Sequence, residues 1–172
     1  MILDILKYPN KALFVRSEEV KDFDANLHEL LDNMYDTMII SSGIGLAAIQ
    51  VGKPFRIFII NLINDNEVQD KNDLIEFINP KITPLDDKTQ IYEEGCLSVP
   101  GFFEEVIRHE NIRVDFYDRY GNISTLEASG LLSVAIQHEN DHLDGHLFIE
   151  KIGYQARKKL EKYLKENKKS KK

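Results

Sequence analysis

Apolar positions along the chain follow two periods, and the switches between them mark its elements. Across residues 24–41, Leu27, Leu30, Leu31, Met34 and Met38 recur at the spacing of one buried helical face. Asp22 or Asp24 can cap the start of that helix, and Ser41-Ser42-Gly43 offers a stop. Residues 55–61 and 74–79 are short β-branched and aromatic runs bounded by polar or proline-containing segments, which predicts strands joined by a polar hairpin or loop over 62–73. Ile112, Val114 and Phe116 alternate with Arg113, Asp115 and Tyr117, a half-buried strand that turns at 118–122 into a second one at 123–127. From Ser129 or Gly130 the period becomes helical again, with Leu131, Ala135, His138 and His142 on one stripe and a stop near Gly145. A last helical pattern, Ala156, Leu160, Tyr163 and Leu164, is surrounded by basic residues. This order predicts an α+β fold in which antiparallel β-sheets pack around a central helix, with an N-terminal and a C-terminal helix.

Length and composition narrow the class. A chain of 172 residues suits one domain, and no apolar run approaches the length needed to cross a membrane. Asp4 and Lys7 interrupt the place where a signal peptide would carry its apolar core, so the expected location is the cytoplasm. The single cysteine, Cys96, excludes an internal disulfide and fits a reducing compartment. The net charge of −7 hides an asymmetry: residues 151–172 carry ten Lys/Arg against two Glu. We therefore divide the chain into an acidic body over 1–150 and a basic C-terminal helix with a disordered lysine-rich tail over 151–172. That tail reads either as a docked helix with a solvated face or as an electrostatic foot for nucleic acid.

The central helix carries candidate chemistry. It holds His138-Glu139-x-x-His142, in which two imidazoles four residues apart share one face and can bind one divalent metal beside the intervening glutamate. Two nitrogens do not complete a catalytic site, so a third ligand is required. Phe148 stands where an extended zincin motif would place a third histidine. His146 lies beyond Gly145, which breaks the helix, and reads as a surface residue. Glu161 and Glu166 fall in the basic tail. Cys96 remains, beside Gly95, and a thiolate with two imidazoles leaves one position open for water. Upstream, Gly43-Ile44-Gly45 lacks the third glycine of a dinucleotide fingerprint and the lysine of a phosphate loop. Its glycines serve unusual backbone dihedrals or the close approach of another chain, or simply mark a helix-to-strand turn.

Three segments together resemble a known family. Gly43-Ile-Gly-Leu-Ala-Ala-Ile-Gln50, Glu94-Gly-Cys-Leu-Ser98 and Gln137-His-Glu-Asn-Asp-His142 are similar, in order and spacing, to the three motifs of the peptide deformylases, and Tyr8-Pro9 and Leu126-Glu-Ala-x-Gly130-Leu131 extend the resemblance across residues 1–150. The resemblance implies hydrolysis of the formyl group from the N-terminal formylmethionine of newly synthesised polypeptides, with release of formate. It implies that Cys96, His138 and His142 hold one divalent metal ion, typically Fe²⁺, with Zn²⁺, Ni²⁺ or Co²⁺ able to replace it, and that hydroxide generated on that metal attacks. Glu139 would be general base and acid, and the Gln50 amide and Leu97 backbone N–H would bind the oxyanion. Ile44, Leu131 and Ala135 would line the methionine pocket, and Gly45 would pair with the substrate backbone as an added strand. Glu94 and Arg108 would form a supporting ion pair. The basic C-terminal helix would dock on the ribosome near the nascent-chain exit, and the protein is expected to be a monomer with no membrane partner.

The chain departs from the family where many bacterial members carry an arginine shortly after the proline that follows the cysteine motif; here Pro100-Gly-Phe-Phe103 makes an apolar groove wall the expectation. Two other readings compete. A general metallopeptidase built on the same helix would cleave unformylated peptides and would not need Cys96. A structural metal site in a nucleic-acid-binding module would need a fourth ligand, and would give Glu139 no role.

Overall fold

In a computed structural model, residues 1–169 are described. The first helix, α1, spans Ala25–Ile40. Asp24 caps it, its carboxylate accepting the Leu27 N–H at 3.1 Å and so satisfying a donor that has no partner within the helix. Seven strands follow the expected runs and add to them: β1 Gly45–Ala47, β2 Ile57–Ile60, β3 Ile75–Pro84, β4 Thr89–Cys96, β5 Val99–His109, β6 Ile112–Tyr117 and β7 Ile123–Ala128. Helix α2 spans Gly130–Leu143 and helix α3 spans Tyr154–Lys169.

Five strands form one antiparallel sheet in the order β1-β2-β3-β6-β7, while β4 and β5 pair as a separate two-stranded ribbon. β2 shows why the sheet is central. All four of its residues are buried, because Ile57 and Ile59 face the α1 cluster of Leu27, Leu31, Met34 and Met38, whereas Phe58 and Ile60 face a second cluster with Ala135, Ile136 and Leu143 of α2. The Phe58 and Phe77 rings stack with centroids 4.7 Å apart, and Phe116 follows at 4.6 Å from Phe77. α2 therefore lies between the sheet and the ribbon, packing on β1 and β2 with one side and on β4 and β5 with the other.

Two elements depart from the periodicity. β3 continues beyond residue 79 because Asn79 adopts φ 49 and a register shift follows it, so Pro80 enters at a bulge where no ladder N–H is required. Asn79 is held in that conformation by bonds from its side chain to the Val20 N–H and carbonyl. The β4–β5 ribbon has no clean apolar alternation. Its outer face carries the cross-strand pair Ile91 and Ile107, 62% and 65% exposed, and the buried positions of β5 are shared between Val99, Phe102, Val106 and Arg108.

α2 ends as its glycine predicts. Gly145 takes φ 79, its N–H donates to the His142 carbonyl at 3.1 Å, and the His146 N–H reaches the Asp141 carbonyl at 2.9 Å. Beyond it, Leu147, Phe148 and Ile149 enter a third cluster with Val99, Phe102 and Val106, onto which α3 docks through Ala156, Leu160, Tyr163 and Leu164. Most of the helix's lysines are exposed. The disordered lysine-rich end expected of the tail falls on residues 170–172, outside the described residues. No described helix is long and apolar enough to cross a membrane.

A Cβ on Gly145 would stand 2.5 Å from the Phe14 carbonyl oxygen, a backbone atom that has little freedom to move. Gly145→Ala is expected to destabilise the protein by more than about 1 kcal/mol, through the left-handed backbone and the clash together. Urea unfolding monitored by circular dichroism measures it, and an unchanged midpoint would contradict the role given to this glycine.

Candidate metal centre

Helical spacing puts the His138 and His142 rings 5.2 Å apart on one side of α2. β4 ends at Cys96, where the ribbon register shifts between Gly95 and Cys96, and the thiol faces the helix with Sγ 3.4 Å from His142 Nε2. Ligand atoms of Cys96, His138 and His142 all lie within 4.8 Å of one another. His138 Nδ1 is 2.7 Å from the Glu94 carboxylate, which orients the ring and leaves Nε2 for the cluster. The donor set therefore fits a divalent ion: one thiol and two imidazoles converge, and the first imidazole is oriented by a carboxylate, as metal-binding histidines commonly are.

Charge around the cluster is organised by a buried ion pair. Arg108 donates to both Glu94 oxygens at 2.8 Å, the two side chains being 4% exposed, and its third contact is Asp141 at 2.5 Å. Burial alone would raise the Glu94 pKa, but Arg108 and His138 hold it down to about 2. Burial likewise works against a proton on His138, yet hydrogen bonding with Cys96 and Glu94 raises its pKa well above the ordinary histidine value. Surroundings that favour a proton there also favour a cation between the three donors. His142 is driven the other way by burial, toward the neutral form that can ligate.

Glu139 sits beside the cluster with its Oε2 buried and without a hydrogen-bond partner among the described residues. Burial pushes its pKa up to about 7 against the pull of His138, so the carboxyl can both take and give a proton near neutrality. The Gln50 Oε1 accepts the Ala47 N–H at 2.9 Å. This turns its Nε2 toward Ser98 Oγ at 3.1 Å and Cys96 Sγ at 3.4 Å. Leu97 follows Cys96 in the turn between β4 and β5. A cavity of about 510 Å³ opens here, lined by Ile44, Gly45, Gln50, Leu97, Phe103 and Glu139 among others. Leu131 and Ala135 are not part of that lining: Ala135 packs in the cluster under the sheet and Leu131 is half-buried earlier on α2. Ser98 and Asp141 also serve the centre. Both lie inside the motifs that carry the cysteine and the histidines, although neither residue type announces such a role.

Known proteins fit this geometry. The sequence model of the family described as polypeptide deformylase matches residues 2–158. The chain belongs to the peptide deformylase family. It is 55% identical over 170 residues to the peptide deformylase of Campylobacter jejuni, covering 99% of this chain and 97% of that one. With the Helicobacter pylori enzyme it shares 53% over 171 residues, 99% and 98% of the two chains. Among solved structures, peptide deformylase from Legionella pneumophila superposes with a TM-score of 0.90 at 34% identity, covering 99% of this chain and 98% of that chain. The Plasmodium falciparum enzyme gives 0.89 at 39%, covering 95% and 94%. The activity of this hydrolase is removal of the formyl group from the N-terminal methionine of nascent polypeptides, and the family is one of metalloenzymes. Neither the general metallopeptidase nor the structural metal module survives this assignment.

The family's first motif now has a steric explanation. Neither Gly43 nor Gly45 adopts a positive φ; a Cβ on Gly43 would lie 2.7 Å from Leu97 Cδ1, and one on Gly45 would lie 2.5 Å from Glu139 Oε1. Close approach, and not unusual dihedrals, is what the two glycines serve. Gly45→Ala is expected to displace the Glu139 carboxylate and to lower kcat by at least about tenfold, since an ångström of misplacement can cost about a hundredfold. Steady-state kinetics with parallel metal analysis checks this, and full activity in the variant would contradict it.

Proposed function

We propose that Cys96, His138 and His142 hold one divalent ion, Fe²⁺ physiologically with Zn²⁺, Ni²⁺ or Co²⁺ able to substitute, and that Glu139, Gln50 and Leu97 carry out formyl hydrolysis around it. The observation that carries this reading is the unpartnered, buried Glu139 carboxylate oxygen beside the three-donor cluster, with the Gln50 amide against the Cys96 thiol. When bound, a divalent ion there supplies Lewis acidity, acidifying water and polarising a carbonyl oxygen. Glu139 takes the proton of the attacking water and passes it to the leaving amine, two roles that its raised pKa of about 7 suits. Gln50 Nε2 and the Leu97 N–H donate to the oxyanion as the formyl carbon becomes tetrahedral. Formate and a free methionine amine leave.

Substrate contacts follow the cavity. Gly45 stands on β1, the edge strand of the five-stranded sheet, so an extended peptide can add to it by backbone hydrogen bonds. Ile44 on the cavity wall would contact the methionine side chain, and Leu131 and Ala135 of α2, which stand outside that lining, would back the pocket from behind. Phe103, 60% exposed on the cavity wall, would give the following residues an apolar surface. Glu94 and Arg108 support the centre by orienting His138. We also read the protein as a monomer acting in the cytoplasm. Residues 1–150 would form the catalytic domain, and the exposed lysines of α3 would contact the ribosome near the nascent-chain exit.

Anaerobically prepared protein is expected to release formate from formyl-Met-Ala-Ser, with Glu139→Ala slowing turnover by about 10²–10⁴-fold while retaining metal. Cys96→Ser and His138→Ala should lose both metal and activity. A metal-loaded wild type that releases no formate would overturn the reading. Phe103→Ala should lower kcat/KM on longer formyl peptides more than on the tripeptide, and equal efficiency on both would remove Phe103 from the groove.

The α3 contact has its own test. Replacing Lys158, Lys162 and Lys165 by Gln should weaken co-sedimentation with ribosomes and flatten its salt dependence, because each lost phosphate contact lowers the number of counterions released. Binding equal to wild type at moderate salt would discard the contact.

A further inference from the structure

Residues 6–8 run alongside both halves of the site. The Leu6 N–H donates to the Gln50 carbonyl at 2.7 Å, and the Tyr8 N–H donates to the Ser98 carbonyl at 2.8 Å. Between them the Lys7 ammonium donates to the Leu97 carbonyl at 2.6 Å. Three consecutive residues thus tie the short helical turn that carries Gln50, Ala48–Val51, to the turn that carries Leu97.

Leu97 and Ser98 lie between the end of β4 and the start of β5, where the ladder no longer fixes the peptide planes. A donor that must meet an oxyanion has to be held to a fraction of an ångström, so such a turn needs restraint from outside. Ser98 is restrained by Tyr8 and by its own N–H to Cys96 Sγ at 3.4 Å. At Leu97 the restraint comes from a lysine side chain through a charge-assisted bond. Lys7 is also the only Lys or Arg among the residues lining the cavity, which otherwise contains the acidic Glu139.

We propose that Lys7 is a positioning residue for formyl hydrolysis: by holding the Leu97 carbonyl, which joins at the Leu97 Cα the Cys96–Leu97 peptide that carries the Leu97 N–H, it limits rotation at Leu97 and so keeps the two oxyanion donors in register. This rests on the assignment of Gln50 and Leu97 as those donors. Leu6 and Tyr8 act through backbone groups, so Lys7 is the part of the clip that substitution can remove.

The test uses the metal-loaded full chain and formyl-Met-Ala-Ser, comparing Lys7→Met, Lys7→Arg, Gln50→Ala and the Lys7→Met/Gln50→Ala double variant. Lys7→Met is expected to lower kcat about tenfold with KM changed less than about twofold, a fraction of what loss of a whole oxyanion donor costs. Metal content and Tm should stay at wild-type values, and Lys7→Arg should recover most of the rate. In the Gln50→Ala background Lys7→Met should cost less than about threefold, because both changes act on one site and are not additive. An unchanged kcat in Lys7→Met, an equal loss in the Gln50→Ala background, or a loss that follows metal content would each overturn the proposal while leaving the oxyanion assignment standing. A fully active Gln50→Ala would instead remove that assignment, and the role of Lys7 with it.

Discussion

The Glu94 carboxylate is taken out of water together with the Arg108 guanidinium, and the metal centre is assembled around that pair. Ion pairs this deeply buried contribute little net stability, because desolvation offsets most of the attraction unless every remaining donor and acceptor is satisfied. Here they are satisfied by the centre itself. Glu94 accepts from Arg108 at both oxygens and meets His138, while Arg108 reaches Asp141, next to the candidate ligand His142. Glu94 stands on β4 and Arg108 on β5, where their cross-strand partners are Glu104 and Gln90, so the pair runs diagonally along the ribbon, whereas His138 and Asp141 stand on α2. The contacts of this pair to His138 and Asp141 tie the ribbon to the helix where the Cys96 thiol meets His142.

The same constraint explains why small residues cluster where the elements meet. With ribbon, helix and edge strand drawn together, there is no room for a Cβ at Gly43 against Leu97, at Gly45 against Glu139 or at Gly95 against the Phe103 ring. Each of these glycines faces a residue that also lines the cavity. Packing and chemistry are thus one requirement here, and Glu139 owes its burial, and so its raised pKa, to the closeness that Gly45 permits.

Different parts of this arrangement were legible from sequence to different degrees. α1 and α2 follow from apolar spacing because each buries one face, and Gly145 marks the end of α2 through a backbone conformation that few other residues adopt. His138 and His142 were visible because helical spacing alone brings them together. Cys96 could be reached only by excluding other ligands, since nothing local says that a strand end some forty residues upstream returns to the helix. The ribbon left no periodic signal, because Ile91 and Ile107 are exposed while Glu94 and Arg108 are buried, the inverse of the usual pattern. Lys7 carried no signal at all, as its role depends on a contact ninety positions away.

The C-terminal helix bears on the site more directly than its charge suggests. Leu160 shares a cluster with Val99 and Phe102, the Tyr163 hydroxyl donates to the Pro100 carbonyl, and Lys159 meets Glu104 at 3.4 Å. Pro100 and Phe103 line the cavity, so the segment that forms one wall of the site is backed by α3. Removing the helix would take away apolar packing and a hydrogen bond from that wall, together with any surface for an anionic partner. Loss of activity on truncation would then say nothing about ribosome contact. Substituting exposed lysines alters the charge and leaves the Leu160 and Tyr163 contacts in place, which separates the mechanical from the electrostatic contribution of α3.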